Sequence, residues 1–183
     1  ELVKSDMTLD VINPATEEVF TQVPRADEAM LDQAVAGAKV AAAKWALTDI
    51  DERKALIHKI ADAINANIEP LAKALTQEQG KPLAAATMEV QYAEIFCRYF
   101  TSLNLENEVL VDDENQRVEV QRTPLGVVAG ILPWNFPLLI GIYKIAPSIL
   151  AGNSIILKPA PTTPVVSVML GEILELASVW FDV

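Results

Sequence analysis

The spacing of apolar and polar positions changes several times along the chain, and each change marks an element. Met7 to Ile12 and Val19 to Val23 alternate loosely with period two. Between them lies Asn13-Pro14-Ala15-Thr16, a turn signal, so the pair predicts a hairpin. Past Pro24 the period becomes helical. Asp27 is placed to cap a helix to about Trp45, with Ala29, Met30, Ala34, Ala38, Ala41 and Trp45 on one face. The alanine density implies close packing against a neighbour. Asp51 is placed to cap a second helix, whose stripe is Leu56, Ile57, Ile60, Ala61, Ile64 and Ile68. Pro70 ends or restarts it, having no N–H for the fourth carbonyl behind. Leu71 and Leu75 continue a short segment to Gly80-Lys81-Pro82, a firm stop. A third long helix is predicted from about Ala84 to Leu103, carrying Met88, Tyr92, Ile95, Phe96, Tyr99 and Phe100.

The second part is patterned differently. Glu106 to Gln116 is acidic and reads as a loop, and Arg117 to Arg122 alternates as an exposed strand. Val127 to Leu132 is a continuous apolar run between Gly126 and Pro133, the pattern of a strand buried on both faces. Leu138 to Leu150 is long enough for a helix, with Gly152 suited to its C-terminal cap. Ser154 to Leu157 is a second buried strand, followed by Lys158 and Pro159. Strand, helix, strand within about 35 residues predicts a right-handed crossover of a parallel sheet. Ligands of such sheets bind beyond the carboxyl ends of the strands. Asn135 and Lys158 stand at those two ends. A last helix is predicted from about Pro164 to Ala177, and Ser178 to Val183 has no clear pattern.

Composition narrows the function classes. Of 183 residues 51% are apolar, enough for a real core, and the net charge is −11. A net acidic chain is a poor partner for nucleic acid or an anionic membrane. Residues 1–122 hold 12 basic and 22 acidic side chains, whereas residues 123–183 hold 2 and 3. The second part therefore reads as the inside of something. No apolar stretch reaches the ~20 residues of a membrane helix, and ELVKSDMTLD does not have the pattern of a signal peptide. The single cysteine, Cys97, excludes an intrachain disulfide and fits a reducing compartment, with the cytoplasm as the expected location.

Candidate chemistry is sparse. His58, the one histidine, sits in a charged helical setting and reads as a surface or boundary residue. Cys97 lies among Phe96, Tyr99 and Phe100 with nothing nearby to make it a thiolate, so it reads as a small buried hydrophobe. One His and one Cys make no metal cluster. The seven glycines contain no G-x-G-x-x-G, so a dinucleotide would have to be held another way. Pro133-Trp134-Asn135-Phe136-Pro137 is the exception. Two prolines stiffen the backbone around one amide, which suits a donor to a developing oxyanion. The same Asn135 also suits a cap on the helix from 138, and local physics leaves both open. Lys158 is placed to bind ribose hydroxyls or a phosphate, or is simply a solvated strand end.

Taken together, these pieces resemble the aldehyde dehydrogenase superfamily. The resemblance rests on Pro124-Leu125-Gly126-Val127-Val128, PWNFP at 133–137, Lys144-Ile145-Ala146-Pro147, Leu150-Ala151-Gly152-Asn153 and Lys158-Pro159, in that order and spacing. It extends back to Asn13-Pro14-Ala15-Thr16 and covers roughly residues 8–176. It implies an α/β fold: part of a Rossmann-like parallel sheet with an amino-terminal hairpin and several long helices. Residues 1–105 would be the hairpin and helical part of the coenzyme domain, 106–122 an oligomerisation strand segment, and 123–183 the first β-α-β unit. The family oxidises aldehydes to acids with NAD or NADP through a cysteine thiolate. By resemblance Asn135 is the oxyanion donor and Lys144 a proton-relay lysine. Ile131, Leu132, Pro133, Trp134, Ala160 and Pro161 line the cofactor and Lys158 bonds its ribose. Tyr92, Phe136, Leu139, Ile140 and Tyr143 line the aldehyde tunnel. A small aldehyde is the implied substrate, and the implied partner is a second copy or a full-length homologue.

Two departures qualify the resemblance. Pro161 stands where the family usually has a ribose-binding glutamate, which leaves NAD against NADP open. The family's glycine-rich turn, general-base glutamate and catalytic cysteine match no residue of these 183. The expectation is a partial aldehyde dehydrogenase that is inactive alone and holds its cofactor weakly. The alternative is a non-catalytic oligomerisation or interaction protein derived from the family.

Overall fold

The computed structural model describes residues 5–176. The chain begins with the expected hairpin, β1 (Thr8–Asn13) against β2 (Glu18–Pro24), antiparallel with a register shift between Val11 and Ile12. Four helices follow: α1 (Glu28–Trp45), α2 (Ile50–Ala66), α3 (Ile68–Gln79) and α4 (Leu83–Thr101). Asp27 caps α1, accepting from the Met30 N–H at 2.8 Å. The cap of α2 is Asp49, not Asp51: its carboxylate accepts from the Asp51 N–H at 2.8 Å. Pro70 restarts rather than kinks the helix, because it falls in the first turn of α3, where a backbone N–H has no intrahelical acceptor to lose. Gly80 ends α3 at φ +84°, and an added Cβ would come within 2.8 Å of Pro14 Cγ, so this stop also seats the turn of the hairpin.

The helices bury one another's stripes. Ile57, Ile60 and Ile64 of α2, Leu71 and Leu75 of α3 and Val90 of α4 have no exposed surface. α5 (Pro137–Leu150) and α6 (Val165–Leu176) complete this core through Leu138, Ile142 and Val166. Burying side chains of this size stabilises by about 1.5–3 kcal/mol each.

The acidic stretch expected as a loop contains a strand. β3 (Glu108–Asp112) pairs antiparallel with β4 (Arg117–Val120), Val109 opposite Glu119 and Val111 opposite Val118. Both faces of this ribbon are largely exposed, so no apolar-in, polar-out alternation announced it. Its partner strand supplies the backbone bonds instead.

The strand–helix–strand order and the parallel pairing are as expected. β5 (Val127–Ile131) runs parallel to β6 (Ser154–Lys158), from Val127 opposite Ser154 to Ile131 opposite Lys158. Burial of β5 on both faces is not observed. Val128 and Gly130 face the core beside α5, but Ala129 is exposed and Ile131 is 68% exposed on the other face. That face is covered only at its amino end, where the Ser154 hydroxyl donates to Ala38 O of α1 at 2.8 Å. Among the described residues β6 pairs only with β5. An apolar cavity of about 530 Å³ lies alongside it, lined by Ala38, Trp45, Ile145, Ile155, Leu170 and Leu174 among others. The expectation for Ser178 to Val183 lies outside the described residues. None of the described helices is long and apolar enough to cross a membrane.

One core carboxylate makes stability depend on pH. Glu78 of α3 is 3% exposed and caps α6, accepting from the N–H groups of Val165 at 2.6 Å and Val166 at 3.1 Å. Burial pushes its pKa up to about 7, against those two bonds. The folded chain therefore holds this proton more tightly than the unfolded chain. The Glu78 contribution to stability is fully present below about pH 4.5, is lost as pH rises to about 7 and is constant above, a span of about 3 kcal/mol. Glu78→Gln removes the titration. The stability difference between wild type and variant is expected to move by about 2–3 kcal/mol against wild type from about pH 5 to about pH 8 in urea unfolding. A difference independent of pH would contradict this account of Glu78.

Candidate active-site region

The loop 133–136 joins β5 to α5 beyond the carboxyl end of the sheet. β5 pairing continues one residue into it, Leu132 N donating to Lys158 O at 3.0 Å. Pro137 then opens α5 at a position that needs no N–H. Trp134 and Asn135 are exposed, and the Asn135 amide makes no hydrogen bond among the described residues. Asn135 is therefore not the helix cap. Phe136 occupies the cap position, and the acceptor comes from α4: Glu89 Oε1 takes the N–H groups of Leu138 at 3.1 Å and Leu139 at 3.2 Å. The second oxygen of Glu89 pairs with Lys81 Nζ. Lys81 Nζ also donates to Asn135 O at 2.9 Å and sits 4.2 Å from the centre of the Phe136 ring.

The expected cofactor residues cluster around the two strand ends. Ile131 and Lys158 are direct cross-strand neighbours on the uncovered face, and Trp134, three residues after Ile131, is 61% exposed. Among the described residues Lys158 Nζ donates to Pro159 O alone, at 3.1 Å, and its side chain is exposed. Leu132 and Ala160 are buried, Pro133 is half-buried and Pro161 exposed. Lys144 of α5 lies with its stem over Gly130. An added Cβ there would approach Lys144 Cδ to 3.2 Å and Leu157 Cδ2 to 2.7 Å, so the glycine keeps room for the lysine.

The expected tunnel residues divide between two packed helices. Tyr92 lies on α4, and Leu139, Ile140 and Tyr143 lie on α5, with Phe136 just before it. Tyr92, Phe136 and Tyr143 are exposed, while Leu139 and Ile140 are half-buried. Phe96, one turn after Tyr92, packs edge-to-face on Tyr143 with ring centres 4.5 Å apart. The two helices thus share an aromatic surface next to the Asn135 loop.

Other candidates fall away. Cys97 is fully buried, and burial, reinforced by the Glu94 charge and opposed by Arg98, pushes its pKa up to about 12. Such a thiol is not a nucleophile near neutral pH. His58 is exposed on α2. No group of three metal-ligating side chains exists among the described residues.

Sequence reasoning missed Lys81, Glu89 and Phe96. Lys81 was hidden inside a turn signal. Glu89 had a legible sign: it stands on the buried stripe of α4 with Ala86, Val90, Ala93 and Cys97, where a carboxylate requires a partner.

A parallel β-α-β unit with an amide beyond one strand and a lysine beyond the other defines a Rossmann-like α/β chain. The chain belongs to the aldehyde dehydrogenase family, whose model matches residues 2–180. It is 36% identical over 181 residues to 3,6-anhydro-alpha-L-galactose dehydrogenase of Streptomyces coelicolor, covering 98% of this chain and 37% of that protein. Among solved structures it is similar to an aldehyde dehydrogenase of Brucella melitensis biovar abortus, with 36% identity and TM-score 0.92, over 97% of this chain and 38% of that one. It is also similar to a glyceraldehyde-3-phosphate dehydrogenase of Methanocaldococcus jannaschii complexed with NADP, with 31% identity, TM-score 0.89 and coverage of 96% and 38%. The chain thus spans little more than a third of the length of these relatives.

Proposed function

We propose that this chain is the amino-terminal part of the coenzyme domain of an NAD(P)-dependent aldehyde dehydrogenase, and that it supplies the oxyanion donor and part of the cofactor site. The observation that carries this is the Asn135 amide, exposed and unbonded beyond β5 while Glu89 takes over the capping of α5. An amide held so is free to donate to oxygen. When an aldehyde carbonyl is attacked, negative charge gathers on its oxygen, and an amide aimed there lowers the barrier. NAD or NADP, when bound, accepts the hydride. The uncovered face with Ile131 and Lys158, with Trp134 exposed in the loop that follows, fits such a cofactor, because Lys158 has no ion-pair partner among the described residues. Lys158 would hold the ribose hydroxyls, and Pro161 adds no carboxylate to repel a 2′-phosphate, so NAD and NADP both fit. Lys144 would relay a proton, and Tyr92, Phe136, Leu139, Ile140 and Tyr143 would guide the aldehyde.

The nucleophile comes from outside residues 1–183, since Cys97 is buried and protonated. Residues 1–105 would form the helical part of the domain and 106–122 an oligomerisation segment. The exposed Val109, Leu110, Val118 and Val120 of the β3–β4 ribbon support pairing with another copy or with a full-length homologue. A cytoplasmic location accords with the single free, buried cysteine.

The test uses the whole enzyme. Lys158→Ala is expected to raise the cofactor KM by about 10- to 100-fold, the loss of a charged hydrogen bond, with kcat at saturation largely kept. An unchanged KM would remove Lys158 from the cofactor site.

A further inference from the structure

The Asn135 amide makes no hydrogen bond among the described residues, so the backbone that carries it sets where the amide starts from. Pro133 and Pro137 fix two φ angles, but not the peptides between them. The peptide after Asn135 is held by a side chain, Lys81 Nζ donating to Asn135 O at 2.9 Å, and the next by Ile140 N donating to Phe136 O at 3.0 Å. All three protons of Lys81 are used. One goes to Asn135 O, one to Glu89 Oε2, and the third side of the ammonium faces the Phe136 ring at 4.2 Å. The pair is out of water, the Lys81 side chain being 9% exposed and that of Glu89 0%. In such surroundings the attraction is barely screened, and neither partner is lost without leaving a stranded charge. Glu89 is rigid in turn. It sits mid-helix on α4 and its other oxygen holds the first N–H groups of α5. A single carboxylate therefore ties together the start of α5, the Lys81 ammonium and, through it, the carbonyl of Asn135.

We propose that Lys81 and Glu89 are positioning residues that aim the Asn135 amide at the reacting oxygen. This rests on Asn135 being the oxyanion donor. Lys81→Met frees the carbonyl of Asn135, and the amide is no longer held within the narrow range that transition-state contact demands. Glu89→Gln is the finer variant. Its amide oxygen still accepts from Leu138 and Leu139, while its amide nitrogen cannot accept from Lys81.

The experiment is a double-mutant cycle in the whole enzyme, supported by hydrogen exchange. Lys81→Met is expected to lower kcat by about 10- to 100-fold, the scale of a misplaced catalytic group, with cofactor KM changed less than about 2-fold. Lys81→Arg, which keeps the charge and donors, is expected to recover most of the loss. In an Asn135→Ala background the Lys81→Met change is expected to cost less than about 3-fold, because its target is already gone. Backbone amides 134–136 are expected to exchange about 10-fold faster in Lys81→Met, with α4 unchanged. Should Lys81→Met not fold, Glu89→Gln carries the same expectations. A loss of equal size with and without the Asn135 side chain would overturn the proposal while leaving Asn135 its role. A full kcat in Asn135→Ala would overturn both.

Discussion

Replacing Asn135 with alanine in the whole enzyme is expected to lower kcat by about 10²–10³-fold, the measured worth of one oxyanion donor elsewhere. The size follows from where the amide stands. It lies in a loop beyond a strand end, bracketed by prolines, its carbonyl clamped by Lys81, its side chain bonded to nothing within the described residues. The amide rides on a clamped backbone and its interaction is absent from the neutral ground state, so the loss should fall on kcat. Cofactor KM should hardly move. Stability should also hold, because Asn135 caps nothing and α5 keeps its Glu89 acceptor. Steady-state kinetics with a melting curve checks both halves. A variant with full kcat and a lower melting temperature would return Asn135 to a structural role.

Much of this was legible from the sequence, for physical reasons that also explain the rest. The β-α-β unit was readable because Val127 to Leu132 and Ser154 to Leu157 are dense in β-branched residues and bounded by Gly and Pro. The helices were readable from their stripes and from acids at their starts, to within the choice between Asp49 and Asp51. β3 was not, because a ribbon exposed on both faces writes no period into its side chains; only its partner strand defines it. The role of Asn135 was left divided between donor and cap, because capping depends on what approaches from elsewhere in the fold. Glu89, 46 positions earlier in the chain, takes the cap and so removes that one of the two readings. The same holds for Lys81, whose meaning lies in a carbonyl 54 positions away. Exposure of Ile131 was invisible too, since an apolar strand reads as buried whether or not its second face is covered by these residues.

The second large effect concerns these 183 residues on their own. They hold an amide donor, an open strand edge with a lysine, and an aromatic surface, but their one thiol is sealed in the core between α4 and its neighbours. Without a thiolate no covalent adduct of the aldehyde forms, and no hydride donor is generated. Cys97 would have to lose a proton held up to about pH 12 and leave a site with no exposed surface to take that part. The decisive measurement sets the purified 183-residue chain beside the whole enzyme, each given NAD or NADP and an aldehyde, with reduced nicotinamide followed by absorbance. The expected result is aldehyde-dependent reduction by the whole enzyme and none above blank by the chain. Reduction by the chain that survives Cys97→Ala would contradict the division of the site drawn here, and reduction lost in that variant would contradict the assignment of Cys97 to the core.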